Sequence, residues 1–329
     1  MIKQDNKIDM VYLWCDGNDA DFKERKQQYL KLEDNSEQEN IEVVGDVRFY
    51  DNEELKYSLR SLEMYAPWIN HVYIVTDRQV PNWLNVEYEK VTVVDHSEIM
   101  PQECIPCFNS TVIEYFLPFI SNLSEKFLYG NDDTFFGNET KPEDFFVGDK
   151  PIVRVKKSRR KKLSYNPEKK YTYYGTVLNS LEILAKAYGK SLPYELHHNI
   201  DAYSKSMFLS TLEKFMDSLN KCVKNRFRKF NDIQRILFNL DIVYKGKAEL
   251  KIVSDPKPWR LRLDCLKKVK WESYCDADNA PKIYTRIAKY KPKLFCINSS
   301  ADATLEEKMK TKQFMESLFP QPSRFEKSI

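Results

Sequence analysis

Glycine is scarce in this chain, 8 of 329 residues, and histidine is scarcer still, with 4. Together with 42% hydrophobic and 31% charged residues, that composition fits a folded globular chain and not a disordered one. No run approaches the roughly 20 apolar residues that a bilayer-spanning helix needs. The segment Met1–Lys7 is polar and is followed only by the short apolar run Met10–Trp14, so no export signal is expected. The sequence therefore predicts a soluble or peripheral protein of the cytoplasm. Its 7 cysteines are scattered, and Cys104-Ile105-Pro106-Cys107 has no second pair at zinc-finger spacing, which reads as reduced thiols. Internal repeats, low-complexity tracts and recognised nucleic-acid-binding motifs are absent, so no nucleic-acid partner is expected. At this length a core forms without a disulfide or metal staple.

What is present begins with charge. The net charge is +3, yet nine Lys or Arg against the single acid Glu168 fall between Arg154 and Lys170, leaving the rest of the chain net acidic. A block of this kind attracts phosphate, anionic lipid or a polyanion. It also reads as a solvated loop.

Hydrophobic periodicity then gives the organisation. Ile8–Trp14 is a β-branched and aromatic run ending at Asp16-Gly17-Asn18-Asp19, a buried strand that closes in a polar loop. Asp19 or Asp21 is placed to cap a helix over Phe22–Leu32. Asp51–Tyr65 is the cleanest helix, with Leu55, Leu59, Leu62 and Tyr65 at spacings of three and four and Asp51 or Asn52 as cap. Strands follow at His71–Thr76, Lys90–Asp95 and Lys126–Tyr129, the last running into Gly130-Asn131-Asp132-Asp133, with a helix over Ser110–Phe116 before it. Alternation of strand and helix over residues 1–137 predicts a mostly parallel, Rossmann-like α/β sheet with polar residues at the strand C-termini, where such sheets bind ligands. Residues 138–329 read as more helical, with helices over Thr176–Tyr188, Ala202–Leu219, Asp232–Asn239 and Thr304–Leu318. The two halves are expected to form a single catalytic domain.

Several residue sets carry potential chemistry. Asp132 and Asp133 directly follow an apolar strand, and adjacent carboxylates there are costly unless a cation or proton sits between them. Hard ions such as Mg²⁺ favour such oxygen ligands and bridge to phosphates; an ordinary Asp-Asp turn is the plain alternative. Trp14, Asp16 and Gly17 offer an aromatic face, a carboxylate and a flexible turn suited to a nucleotide, or simply a strand-to-helix turn. His197 and His198 are half of all the histidine, and histidine is the commonest general acid or base. Arg226 and Arg228 present fork donors suited to phosphate.

Jointly, these segments resemble the Stealth family of sugar-phosphate transferases, which includes bacterial capsule polymerases and the catalytic subunit of the lysosomal-enzyme N-acetylglucosamine-phosphotransferase. The resemblance runs through Ile8–Asp19, Arg48–Ser61, Tyr65–Ile69, His71–Asp77, Pro81–Leu84, Phe108–Ser110 and Leu123–Asp133. It continues through His198–Asp201, Arg228–Gln234, Lys293–Asn298 and Leu318–Glu326, so it brackets the whole chain. Two departures stand out: His197 and His198 are adjacent instead of separated by two residues, and Ser299-Ser300 follow Asn298 where an acid is usual. The resemblance implies a GT-A-like fold and transfer of a sugar-1-phosphate from a nucleotide-diphospho-sugar, such as a UDP-sugar, to a glycan hydroxyl. The products are a phosphodiester and a nucleoside monophosphate; ordinary glycosyl transfer would release a nucleoside diphosphate instead. It implies Asp133, His198 or His197, and Arg228 as catalytic. Asp132 and Asp133 would hold Mg²⁺ or Mn²⁺. Trp14, Asp16, Gly17, Arg48, Asn52, Arg60, Asn109 and Ser110 would form the donor pocket. The block 154–170 would meet anionic lipid or glycan at the inner face of the plasma membrane.

Overall fold

The computed structural model describes residues 7–33, 45, 49, 51–157, 172–192, 194–253, 273–275, 280–297 and 304–328. Its centre is a five-stranded sheet. Strands β1 (Ile8–Leu13), β2 (Val72–Thr76), β3 (Val91–Asp95) and β4 (Lys126–Asn131) run parallel in the order β3-β2-β1-β4, the Rossmann-like arrangement expected. The short strand β5 (Thr134–Phe136), β6 (Phe146–Val147), β7 (Lys150–Lys157) and β8 (Tyr194–Leu196) come next in the chain. Strand β9 (Asp201–Ser204) then closes the far edge of the central sheet, antiparallel to β4. The two sequence halves therefore interlock, because a strand from the second completes the sheet of the first.

Side chains alternate faces along β1, which is why both faces are buried. Met10 and Tyr12 pack with Leu55, Leu59 and Leu62 of the helix Glu54–Tyr65, while Val11 packs with Phe127, Phe208 and Leu237. Burying a leucine such as Leu59 completely contributes about 1.5–3 kcal/mol. The remaining strands, β10 (Glu249–Ile252), β11 (Ser273–Cys275) and β12 (Leu294–Cys296), form two smaller sheets, β10-β7-β6 with β8 against β7, and β11-β12-β5.

Most predicted elements appear within a few residues. Asp19 caps the helix Ala20–Leu30, accepting the Phe22 N–H at 2.7 Å. Neither Asp51 nor Asn52 caps the helix Glu54–Tyr65; its cap is Glu53, in the left-handed region at φ 64° without a capping side chain. The Asp51 carboxylate instead accepts the Glu53 N–H, and Glu54 reaches back to the Asn52 N–H. The expected helix over Ala202–Leu219 is a strand followed by helices Lys205–Lys214 and Met216–Leu219. Ladder bonds to β4 claim Ala202–Ser204, and Ser204 caps the helix that follows.

No helix among the described residues is long and apolar enough to cross a membrane. Arg154 does not belong to an exposed basic face. It is buried within β7, donates to the Asp144 carbonyl and stacks over Phe145 at 5.1 Å. Residues 158–171, which hold most of the basic block, lie outside the described residues.

Candidate active site

The register of the central sheet gathers the chemistry at one edge. Leu13 of β1 pairs with both Val75 of β2 and Asn131 of β4, so the residues just beyond these strands emerge side by side. They are Trp14-Cys15-Asp16, Asp77 and Asp132-Asp133. Because β9 runs the other way, the loop that precedes it, carrying His197 and His198, arrives at this same edge. From below, β12 lies antiparallel to β5 with Cys296 opposite Thr134, and Ile297 donates its N–H to the Asp133 carbonyl at 3.0 Å.

A cavity of about 150 Å³ opens here, and Trp14, Ser110, Asn131, Asp132 and Arg228 line it. Arg228 donates to Ser110 Oγ at 2.8 Å, so a guanidinium from the helical half is fixed against the sheet edge. Phe49 and Phe108 supply apolar walls. Asp77 and His96 also line the cavity, and sequence reasoning assigned them no role. Their positions carried the signal, since each is the first residue beyond a parallel strand. Asp77 is paired to Arg25 at 3.1 Å, and burial holds the His96 imidazole below its ordinary pKa.

Beside the cavity, atoms of Asp133, His198 and Cys296 lie within 4.8 Å of one another. Burial, with the nearby charges of Arg235, His197 and Lys156, brings His198 down to a pKa of about 3, so the imidazole is neutral at physiological pH. Asp133 is pushed up to about 6 by burial, against a hydrogen bond from Cys296 and the charge of Arg235. Asp132 is raised well above the carboxylate range by burial, then by Asp133, Glu54 and Asp51. Glu54 rises to about 8 through burial, with Asp51 and Asp133 adding to it. Asp51 rises to about 6, chiefly through burial, although the Trp14 indole opposes the shift. Several carboxylates thus share a space that does not favour their joint ionisation. A divalent cation answers that demand, and oxygen donors suit a hard one.

Behind the site, Arg235 is buried between Asp201 (2.9 Å) and Glu114 (3.3 Å). Tyr129 bridges Glu114 to Asn131, linking this ion pair to the cavity wall. Sequence reasoning missed Arg235, whose partners are distant in sequence.

The other expected donor residues divide. Trp14 and Ser110 line the cavity; Asp16 and Gly17 stand next to it in the following turn. The Asp16 amide is held by the Gln79 side chain, and Gly17 packs so closely on Phe49 that any Cβ would collide with its backbone. Asn109 is fully buried behind Ser110, capping the short helix Ser110–Ile113 and donating to Asp232 at 2.9 Å. Asn52 donates to the Lys308 carbonyl. Arg60 does not line the cavity: its guanidinium is buried against Glu326 at 2.6 Å and the Phe319 carbonyl at 2.9 Å. Arg48 lies outside the described residues. Of the two histidines, His197 is fully buried, and only His198 joins the Asp133 cluster.

Residues 48–153 match the family model described as Stealth protein CR2, conserved region 2. The capsular polysaccharide phosphotransferase fcs1 of Haemophilus influenzae is 32% identical, over 90% of this chain and 79% of that protein. The exopolysaccharide phosphotransferase cps2G of Lactiplantibacillus plantarum is 30% identical, over 97% of this chain and 96% of its own. Among solved structures, a galactosyltransferase bound to donor and acceptor sugar analogues superposes with a TM-score of 0.43 at 11% identity, covering 96% of this chain and 98% of that one. A superposition this loose fixes no detail of the site. With relatives aligned along nearly its whole length, the chain belongs to the Stealth family of polysaccharide phosphotransferases.

Proposed function

We propose that this chain transfers a sugar-1-phosphate from a nucleotide-diphospho-sugar, a UDP-sugar in the first instance, to a hydroxyl of a glycan acceptor in capsular or surface polysaccharide assembly. The observation that carries the reading is the meeting of Asp133 and a neutral His198 beside a cavity walled by Asp132, Ser110 and Arg228. The relatives named for capsular and exopolysaccharide phosphotransfer support the substrate class.

Phosphoryl transfer asks a protein for in-line placement and charge stabilisation more than for covalent participation. In this reading the acceptor O–H gives its proton to His198 Nε2 as its oxygen attacks the β-phosphorus. The bond from that phosphorus to the bridging oxygen breaks, and a nucleoside monophosphate leaves. Arg228 neutralises phosphate oxygens, and Trp14 with the phenylalanine walls holds the nucleoside. An imidazole with so low a pKa is a weak base, but a bound diphosphate brings negative charge that raises it. Asp132 and Asp133 fit a Mg²⁺ or Mn²⁺, for Asp133 Oδ1 is a buried atom without a hydrogen-bond partner and the neighbouring donors are carboxylates. When bound, such an ion supplies countercharge to the diphosphate. The basic stretch, Arg154 excepted, holds the enzyme near an anionic acceptor or lipid at the cytoplasmic membrane face.

Incubation with labelled UDP-sugar and acceptor tests the reading. UMP with a phosphodiester product is expected, whereas UDP release means ordinary glycosyl transfer and overturns it.

A further inference from the structure

Asp133, His198 and Cys296 come from three separate segments: the turn after β4, the loop before β9 and the end of β12. Backbone pairing fixes each of them. Cys296 sits opposite Thr134, the next residue donates to the Asp133 carbonyl, and Asp201 sits opposite Tyr129. Two buried polar atoms of the cluster, Asp133 Oδ1 and His198 Nε2, have no hydrogen-bond partner. Buried polar atoms are nearly always satisfied, and these two belong to side chains whose donor atoms lie within 4.8 Å of each other and of Cys296, so a group bound among them would satisfy both.

Sugar-phosphate transfer gives work to the carboxylate and the imidazole, while the thiol, hydrogen-bonded to Asp133, takes no part in the transfer itself. A hard cation has no preference for sulfur. Thiolate, imidazole and carboxylate together are the donor types of borderline-soft ions, and three protein ligands with one open position is the pattern of accessible zinc sites.

We propose that Asp133, His198 and Cys296 form a binding site for a borderline-soft divalent cation of the Zn²⁺ class. The site shares Asp133 with the hard-cation pair Asp132–Asp133, so the two occupancies exclude one another. Binding replaces the S–H bond of Cys296 with a sulfur–metal bond and releases one proton to solvent; no oxidant or reductant is involved. The ion also takes the lone pair of His198 Nε2. It follows, where this step alone rests on the transfer reading above, that Zn²⁺ arrests a turnover that Mg²⁺ supports.

Cobalt, a coloured substitute for zinc, tests the site without any assay of transfer. Titration of the metal-free protein with Co²⁺ is expected to give one equivalent bound, with a thiolate-to-cobalt charge-transfer band that Zn²⁺ abolishes. Cys296→Ser is expected to remove the band and to weaken binding by more than the roughly 10- to 100-fold that loss of an outer-shell partner costs. His198→Ala should weaken it comparably, while Cys15→Ser, which alters the thiol lining the neighbouring cavity, leaves the band intact. Loss of the band in Cys15→Ser, or its persistence in Cys296→Ser, overturns the assignment. Should either variant fail to fold, X-ray absorption of the unmutated zinc-loaded protein decides. One sulfur and one imidazole in the metal shell sustain the site, and an oxygen-only shell ends it. Because cobalt binding is indifferent to which nucleotide is released, failure here and failure of the transfer reading are separately visible.

Discussion

Two groups of buried carboxylates in this chain are treated in opposite ways. Asp241, in the helix Ile236–Tyr244, is fully buried, yet Lys245 at 2.6 Å, Lys214 at 3.2 Å and Thr211 at 2.8 Å all reach it, as does the Tyr188 hydroxyl. Burial alone would raise its pKa, but those donors outweigh burial and hold it below the ordinary value. At the sheet edge, Asp51, Glu54, Asp132 and Asp133 crowd together, and burial raises every one of them. A carboxylate with its partners built in serves the architecture. A set in which burial prevails over its few donors carries a standing cost to the fold, which the proposed cation would relieve.

The contrast can be broken most sharply at Asp133. Asp133→Ala removes a ligand of the proposed cation and the neighbour of the imidazole together, so turnover should fall by more than the roughly 10²- to 10⁴-fold expected for loss of a general base. The melting temperature should not drop, since a strained charge is removed; a folded variant with near-normal nucleotide release would take Asp133 out of the mechanism. His198→Ala should cost about 10²- to 10⁴-fold in kcat, whereas the comparison predicts no such kinetic loss from Asp241→Ala. That change should instead lower unfolding free energy by about 1–3 kcal/mol in a denaturant titration, discounted because Lys214 and Lys245 are partly solvated. Equal rate losses at positions 198 and 241 would erase the distinction.

The smallest effect is the response to pH. Asp51, Glu54 and Asp133 have folded pKa values above their ordinary ones, so the stability that their protonated forms contribute is complete below the usual carboxylate range. It is lost as pH rises through about 6 and then about 8. The sign is reversed for Asp241, whose contribution is present at neutral pH and is lost only on strong acidification. A cation that replaces the protons should therefore stabilise more in base. Saturating Mg²⁺ is expected to raise Tm by about 2 °C or more at pH 8 and by less at pH 6. An equal shift at both pH values would show that the ion binds elsewhere.

Much of this frame was legible in the sequence, where local pattern and final structure coincide. Leu55, Leu59 and Leu62 announce their helix because one face of it meets the sheet, and Ile8–Leu13 announces β1 because both of its faces are buried. Asp132 and Asp133 were legible because the strand before them ends in the polar turn that an α/β sheet requires. Less visible was anything that depends on pairing across the chain. Ala202–Ser204 has no strand signature of its own and is extended because β4 presents an open edge. Arg60 read as a donor ligand because nothing local betrays a partner 266 residues away. Cys296 carried no mark of its place until β12 was laid against β5.

That Arg60–Glu326 clasp has a practical corollary. The tail running through Ser323–Lys327 is stitched to the body by the ion pair, by the Asn85 amide donating to the Phe325 carbonyl, and by the Lys327 amide on the Trp83 carbonyl. Arg60 belongs to the same helix whose opening turn holds Glu54. Clipping the last seven residues would take the Glu326 carboxylate from Arg60 and leave its guanidinium only the Phe319 carbonyl, and the disturbance would travel up one helix toward the acidic edge. A protease nick there is expected to weaken catalysis, although none of these residues lines the cavity.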